Sequence, residues 1–110
     1  MTSEEHDISY IIGSHLGKDN AILGPVISEM TGHPYTEVRS IIAHLINDHG
    51  QLIASCQRGY YVPVTPEEIS EATRSLRHRA IMILLRASRL QKISLDEVYG
   101  QGKLELKKEG

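Results

Sequence analysis

The sequence predicts a mainly α-helical fold, in which three short helices precede a β-hairpin and one long helix. Three observations support this prediction. Apolar residues recur at helical spacing before residue 50, two short β-rich runs flank Gly59, and residues 66–92 contain nothing that would break a helix. At 110 residues and 40% hydrophobic content, the chain is long enough for one modest core. We therefore expect one small globular domain.

Three amphipathic helices are predicted before the hairpin. The first covers residues 8–16, the second is capped by Asn20 and ends at Gly32, and the third opens at Pro34 and stops at Gly50. The apolar residues expected to face the core are Ile8, Ile11, Ile12, Leu16, Leu23, Val26, Ile27, Met30, Val38, Ile41, Ile42 and Leu45. Because so short a glycine-containing turn joins the second and third helices, they are predicted to form a helix-turn-helix.

A β-hairpin is predicted after the third helix. The runs QLIAS and YYVPV, residues 51–55 and 60–64, are rich in strand-forming residues, and CQRG between them contains the turn residue Gly59. An isolated hairpin is only marginally stable in water. We therefore expect this one to pack against the three helices, with Gln57 and Arg58 at its tip.

This order of elements resembles the winged-helix family of helix-turn-helix proteins, especially the small winged-helix proteins of bacteriophages and prophages. The resemblance covers residues 6–64 and is most specific at Gly50, which ends the third helix, and at Arg58-Gly59-Tyr60 in the hairpin, the wing. It implies that the third helix enters the major groove of DNA while the wing touches the backbone or the minor groove. It also implies a role in phage or bacterial transcription regulation or in DNA replication.

The resemblance puts the candidate DNA contacts on the outward face of the third helix and at the hairpin tip. Thr36 and Ser40 are small enough to allow close approach to base edges, Arg39 flanks them, and Arg58 would reach a phosphate or the minor groove. The candidate DNA-binding residues are Tyr35, Thr36, Arg39, Ser40, His44, Gln57 and Arg58. A solvated polar face explains the helix residues equally well, and residues 1–64 carry three cations against seven anions. The alternative is therefore a protein-interaction adaptor that does not bind DNA.

The long fourth helix has the clearest start signal in the chain. Thr65, Pro66 and Glu68 form a capping box with proline at the first helical position, and the helix is expected to reach Lys92, about 40 Å away. Beyond its acidic first turn come six cations without an intervening acid: Arg74, Arg77, Arg79, Arg86, Arg89 and Lys92. Such a row is a solvated face, an electrostatic footprint for nucleic acid, or a partner for the acidic surface of a neighbouring subunit.

A packing stripe along the fourth helix predicts a homodimer. Large apolar residues recur every seven positions, and small residues lie four positions after the first three of them. On the other side, Ile81, Met82 and Leu85 make the AIMILL segment apolar almost all round, so we expect it to be buried on two faces. The residues assigned to dimerisation are Ile69, Leu76, Ile81, Ile83, Leu85 and Leu90. The alternative is that this helix packs against the first helix of a monomer.

The end of the chain is predicted to be flexible or partly ordered. The predicted organisation is a winged-helix domain over residues 1–64, a helical segment over 65–93 and a tail over 94–110. In the tail, a short helix over 95–99 followed by an exposed strand is one alternative to disorder. The segment QGKLEL resembles the hexapeptide with which bacterial polymerases and repair proteins bind the sliding clamp. Its anchoring residues would be Gln101, Leu104 and Leu106, although the family pattern favours leucine where this chain has Gly102.

The sequence does not predict an enzyme, a cofactor or a metal site. It has no serine elbow, phosphate loop or paired carboxylates, and the lone Cys56 cannot form an internal disulfide. The six histidines make no metal-ligand spacing with that cysteine, and His44 and His49 are expected to lie off one helix face as surface residues. Because no apolar run has transmembrane length and the amino terminus is acidic, we expect a soluble cytoplasmic protein without membrane contact.

Overall fold

The structure, a computed structural model, describes residues 1–109, with side chains described as far as residue 107. The described part is mainly helical with one small two-stranded antiparallel sheet, which confirms the prediction of a mainly α-helical fold. Its helices are α1 (Ser3–Gly13), α2 (Gly24–Thr31), α3 (Tyr35–Asn47), α4 (Pro66–Gln91) and α5 (Leu95–Glu109), and its strands are β1 (Ala54–Cys56) and β2 (Gly59–Tyr61). The chain divides into two compact units, Met1–Ala72 and the part from Thr73 onward, so that the boundary falls within α4.

The core of the first unit lies where α1, α2 and α3 pack against one another. Its buried side chains are Ile8, Ile12, Ile22, Ile27, Val38, Ile42 and Leu45, against which Ile11, Ile41, Ile53, Tyr60 and Val62 are partly buried. The regular spacing of the α3 residues in this set follows the helical period, which turns one face of α3 to the core and the other to solvent. The helical periodicity of α3 is therefore confirmed by its burial.

The hairpin is attached to the chain between α1 and α2. β1 and β2 are antiparallel, with Ala54 opposite Tyr61, and both are shorter than the predicted runs. The outer edge of β2 pairs with Ile22: the Tyr60 amide donates to the Ile22 carbonyl at 2.8 Å, and the Ile22 amide donates to the Tyr60 carbonyl at 2.9 Å. The Val62 amide donates to the His15 carbonyl at 2.9 Å. Backbone pairing on both sides of β2 thus fixes the hairpin to the helical core.

The first two helices begin elsewhere than predicted. α1 starts at Ser3 because Thr2 and Glu5 form a capping box, in which the Glu5 amide donates to Thr2 Oγ1 and the Thr2 amide donates to Glu5 Oε2, both at 3.2 Å. The prediction that Asn20 caps the second helix is wrong. Residues 18–20 form a separate 3-10 turn, and α2 begins only at Gly24, with proline in its first turn.

The predicted inward face of α2 is correct at Ile27 alone. Leu23, Val26 and Met30 are exposed, whereas Ile27 is fully buried. With its late start, α2 has only eight residues, and just one line of side chains meets the core. Leu16 is also exposed, since α1 ends at Gly13 before reaching it.

The second unit consists of the later part of α4 and of α5. Lys92 takes a left-handed backbone conformation (φ 57°), the Ile93 amide donates to the Ser88 carbonyl at 3.1 Å, and Ser94 Oγ accepts from the Glu97 amide at 3.2 Å to cap α5. The alternative of a short helix over 95–99 followed by a strand is wrong for the described residues, because α5 continues through Gly100 and Gly102. No helix within residues 1–109 combines the length and apolar character needed to cross a membrane.

Candidate nucleic-acid interface

The outward face of α3 is polar and exposed. Thr36, Arg39 and Ser40 are exposed, on the opposite side from the buried residues Val38 and Leu45. The amphipathic pattern of α3 produces this arrangement, since positions three and four apart share a face. Short side chains beside an arginine leave room for a ligand to approach the helix backbone closely.

Tyr35, at the start of α3, is held in place from three sides. Its ring lies over Gly24, the first residue of α2, its side chain lies close enough to that of Tyr60 on β2 to influence the pKa of Tyr60, and the Arg39 guanidinium carbon lies 5.9 Å from its ring centroid. Burial raises the pKa of Tyr60, and the neighbouring Tyr35 raises it further, while Arg39 acts in the opposite direction. Tyr35 therefore connects α2, α3 and the hairpin, and supports the side chain of Arg39.

The hairpin tip presents Arg58 to solvent. Its side chain is 67% exposed, and Nη1 lies 3.4 Å from Oδ1 of the still more exposed Asp19. An ion pair between two exposed side chains contributes little stability and is readily exchanged for another anion. Gln57, beside it, is also exposed. The Arg58 guanidinium is thus accessible to a phosphate.

An open apolar groove runs between the hairpin tip and α2. It has a volume of about 690 Å³ and is lined by His15, Ala21, Ile22, Leu23, Val26, Met30, Gln57 and Arg58. The exposed side chains of α2 form its wall. Exposed apolar residues grouped in this way are more typical of an interaction surface than of a solvated helix.

His44, one helical turn after Ser40 on α3, contacts carboxylates of α1 and of the end of α3. Its Nε2 is 3.3 Å from Glu5 Oε1, and its Nδ1 contacts Asp48 Oδ2. His49 joins the same group, with Nε2 3.1 Å from Glu5 Oε2 and its ring centroid 5.1 Å from that of His44. Burial acts to raise the pKa of Glu5, but the Thr2 hydrogen bond and the two histidines together hold it below its ordinary value. Together, Glu5, His44 and His49 could hold a metal ion.

The stripe proposed for dimerisation is exposed along α4. Ile83 is 63% exposed and Leu90 81% exposed, and Leu85 is half-buried. The other assigned residues, Ile69, Leu76 and Ile81, are exposed as well. The expectation that the AIMILL segment is buried on two faces is not met within one chain, which leaves its first four residues exposed. So much apolar surface on one helix is unusual for a monomeric protein.

The candidate sliding-clamp segment lies within α5. Gln101, Leu104 and Leu106 are all exposed. The Lys103 ammonium lies 4.8 Å from the Tyr99 ring centroid, a contact between successive turns of the helix. The segment is accessible, but in helical rather than extended form.

Two groups of residues in these surfaces were not expected from the sequence. Glu5 carries a capping-box signal, since Thr2 stands three residues before it, but nothing in the sequence relates Glu5 to residues 44 and 49. The contact of Tyr35 with Gly24 and Tyr60 likewise joins residues from three separate elements. Both groups arise from tertiary packing, which the periodicity of apolar residues in the sequence does not predict.

Comparison of the chain with models of known protein families, with curated proteins and with solved structures finds no match. The function proposed below therefore depends on the chemistry and geometry of the residues just described.

Proposed function

We propose that this protein binds double-stranded DNA as a winged-helix protein, through the outward face of α3 and the hairpin tip. The observation that carries the proposal is the contact of Tyr60 on β2 with Tyr35 on α3, beside Arg39. Because Tyr60 is two residues from Arg58, this contact supports one continuous surface that contains both arginines. A duplex that received α3 in its major groove would then meet the hairpin at the adjacent backbone.

The two arginines have different roles in this proposal. Arg39 is restrained over the Tyr35 ring, so less side-chain entropy is lost when it pairs with a guanine edge between Thr36 and Ser40. Arg58 has only an exposed ion pair to exchange, and it neutralises a phosphate. Arg39 thus supplies sequence preference and Arg58 supplies affinity. A regulator of transcription or a replication protein of a phage or bacterium needs both.

A dimer would offset the unfavourable negative charge of the proposed DNA-binding part of the chain. Residues 1–64 have a net charge of −4, whereas residues 72–92 contain six cations and no acid. Phosphate contacts dominate protein–DNA affinity, so one copy of α3 and its hairpin is a weak electrostatic ligand. Two copies joined through α4 would double the number of DNA-facing arginines and could bring the basic rows to the same duplex.

The exposed stripe on α4 supports pairing with a second copy of the same helix. Large residues at seven-residue intervals alternate with the small side chains of Thr73, Ala80 and Ala87, so that two helices could approach closely. The acidic first turn and the basic later part of α4 are complementary in charge. This complementarity favours an antiparallel pair. Sedimentation velocity over a range of protein concentrations tests the dimer.

A salt-titrated binding isotherm on random and on genomic duplex DNA tests the DNA proposal. Winged-helix binding should give an affinity that falls linearly with salt on a logarithmic scale, with tighter binding to particular genomic fragments than to random duplex. Absence of binding to any duplex at low salt would reject the proposal.

The alternative function is a protein-interaction adaptor, which the apolar groove between α2 and the hairpin favours. Leu23, Val26 and Met30 in its wall would receive apolar side chains of a partner. Met30→Gln should weaken partner binding under the adaptor proposal and, because it adds no charge to the groove that contains Arg58, leave DNA binding unchanged under the first. Binding of QGKLEL to a sliding clamp is a separate, subsidiary proposal, tested by titrating purified bacterial clamp with the protein and with a Leu104→Ala, Leu106→Ala variant.

A further inference from the structure

The cluster of Glu5, His44 and His49 joins the start of α1 to the end of α3. Glu5 is the third helical residue of α1, His44 lies in the last turn of α3, and His49 follows two residues after that helix ends. Their potential ligand atoms all lie within 4.8 Å of one another, and among the described residues they are the group of three that meets this condition. We propose that Glu5, His44 and His49 form a site for a divalent transition-metal ion of the zinc class.

The distances in the cluster fit the coordination of zinc. His44 Nε2 lies 3.3 Å from Glu5 Oε1, and His49 Nε2 lies 3.1 Å from Glu5 Oε2. Two ligands that bind one tetrahedral ion with bonds of about 2.0–2.1 Å lie roughly 3.3–3.4 Å from each other. Since the three ligand atoms lie within 4.8 Å of one another, side-chain rotation would bring the histidine nitrogens to such a separation. Two imidazoles and one carboxylate are a ligand set that suits zinc and excludes magnesium, which prefers oxygen ligands.

Asp48 completes the arrangement behind His44. Nε2 of His44 faces Glu5, and Nδ1 contacts the Asp48 carboxylate one helical turn away. A metal-binding histidine usually donates its second ring N–H to a carboxylate, which fixes the ring orientation and makes the ligand nitrogen more basic. Asp48 is therefore a positioning residue for His44 and not a fourth ligand. The fourth position would be taken by water, since His44 and His49 are 45% and 30% exposed.

The Glu5 side chain is already ordered for this role. It is 11% exposed, and the Thr2 amide donates to Oε2 as part of the capping box. A carboxylate has enough lone pairs to keep that hydrogen bond while it binds an ion. Bound metal would tie the amino-terminal turn of α1 to the end of α3 and would stabilise the first unit in proportion to the metal concentration. The site shares the candidate residue His44 with the proposed DNA surface, but its ligand set does not include Arg39 or Arg58, so metal binding can be tested without DNA.

Titration of the untagged full-length protein with Co²⁺ and Zn²⁺ tests the site. The expected results are one ion per chain, intense visible absorption from four-coordinate Co²⁺, displacement of Co²⁺ by Zn²⁺, and no displacement by Mg²⁺. Zn²⁺ should also raise the thermal midpoint of unfolding of the first unit. A wild-type protein that binds neither Co²⁺ nor Zn²⁺ at one ion per chain would overturn the proposal.

Variants locate the bound ion. His49→Gln and Glu5→Gln should each weaken Zn²⁺ binding by at least about tenfold, the scale found even for residues that only orient a ligand. Glu5→Gln is informative because glutamine can replace glutamate in a capping box, so α1 keeps its start. His33→Gln is the matched control, since His33 also pairs with a glutamate, Glu37, at 3.7 Å. Equal loss in this control, or wild-type binding in the first two variants, would overturn the proposal.

The Asp48→Asn variant distinguishes a metal site from a group of ordinary ion pairs. Asp48 is exposed at the end of α3, so its replacement should leave folding intact, as circular dichroism can verify. The Asp48→Asn variant should bind Zn²⁺ about 10–100-fold more weakly, and the ¹⁵N shift of His44 Nε2 on metal addition should shrink. In the wild type that shift should fall on Nε2 and not on Nδ1. Metal-induced shifts on Nδ1 instead would contradict the proposed geometry.

Discussion

The ring of Tyr35 lies so close to Gly24 that a Cβ atom at Gly24 would be 2.1 Å from Tyr35 Cε2. This contact joins the first residue of α2 to the first residue of α3. The same side chain neighbours Tyr60, and its ring lies under the Arg39 guanidinium. The residue at position 24 therefore limits where the ring beneath the Arg39 guanidinium can lie.

Gly24→Ala should displace the Tyr35 ring and lower the free energy of unfolding by about 1–3 kcal/mol, as expected when a close-packed position is overfilled. Urea unfolding followed by tyrosine fluorescence measures the loss. Gly13→Ala is the control, because Gly13 lies in a helix with nothing within 4 Å of a new Cβ. It should be neutral or stabilising. Equal stability of the Gly24 variant and the wild type would show that the ring moves without cost.

Gly59→Ala should be more damaging, for two independent reasons. Gly59 has a φ of +114°, and its Cβ would lie 2.0 Å from the carbonyl oxygen of Ile22, a backbone atom held in the pairing with β2. Backbone strain and steric overlap together should cost about 3 kcal/mol or more. Gly50→Ala is the matched control, since Gly50 also has positive φ (+64°) but open space around it, and it should cost only about 1–2 kcal/mol. Similar losses at both positions in chemical denaturation would contradict the close approach.

The fold was predictable where periodicity and burial agree. Val38, Ile42 and Leu45 repeat at helical spacing and are buried, and the capping signal at Thr65 correctly places the start of α4. The second helix was misplaced because Asn20 has the chemistry of a cap but closes a 3-10 turn. Sequence alone cannot choose between these uses of the same side chain.

The candidate sites were predictable only in part. The exposed face of α3 follows from its buried face, so Thr36, Arg39 and Ser40 could be identified as a set. His49 could not be related to His44, because the helix ends between them and the following turn brings the two rings together. In a continuous helix these two residues would lie on different faces. The cluster forms because the chain leaves the helix before His49.

Glu68→Gln should make the stability of the first unit less dependent on pH. The Glu68 carboxylate accepts from the Val64 amide at 2.9 Å and from the Lys18 amide at 2.6 Å, and these hydrogen bonds hold its pKa below the ordinary value. With a folded pKa below the unfolded one, its contribution is present above the unfolded pKa and is lost as pH falls through the folded pKa. The urea midpoint of unfolding should therefore be higher for the wild type than for Glu68→Gln near neutral pH. This difference should disappear at acid pH.

The neighbouring Glu67→Gln is the control for this comparison, because Glu67 is exposed one residue away on the same turn. It should change the urea midpoint little at any pH. A constant difference between wild type and Glu68→Gln from neutral to acid pH would indicate that the carboxylate charge is not responsible.

Ile83→Glu should convert the proposed dimer to a monomer. A charge placed at the centre of a paired apolar stripe would be buried without a partner, at a cost of several kcal/mol. Since Ile83 is 63% exposed in the single chain, the variant should keep its helical circular dichroism. Sedimentation at about tens of micromolar measures the change. His78→Glu on the same helix should sediment as the wild type does, and a monomeric wild type at that concentration would reject the dimer.

Arg39→Ala and Arg58→Ala should both weaken DNA binding, but in different ways. Loss of Arg39 should remove about 1–3 kcal/mol of discrimination between the preferred duplex and random DNA, because an arginine paired with a guanine edge reads sequence. Loss of Arg58 should weaken binding to all duplexes alike and reduce the slope of log affinity against log salt by about one, because it removes one phosphate contact. Fluorescence anisotropy at several salt concentrations measures both effects.

Neutralising Arg86 and Arg89 should reduce the salt slope further without changing sequence preference if the basic row contacts the DNA backbone. Lys107→Ala on α5 should change neither the slope nor the preference. If both single variants bind every duplex as the wild type does, α3 and the hairpin are not the DNA surface, and the adaptor function with its groove between α2 and the hairpin becomes the better account.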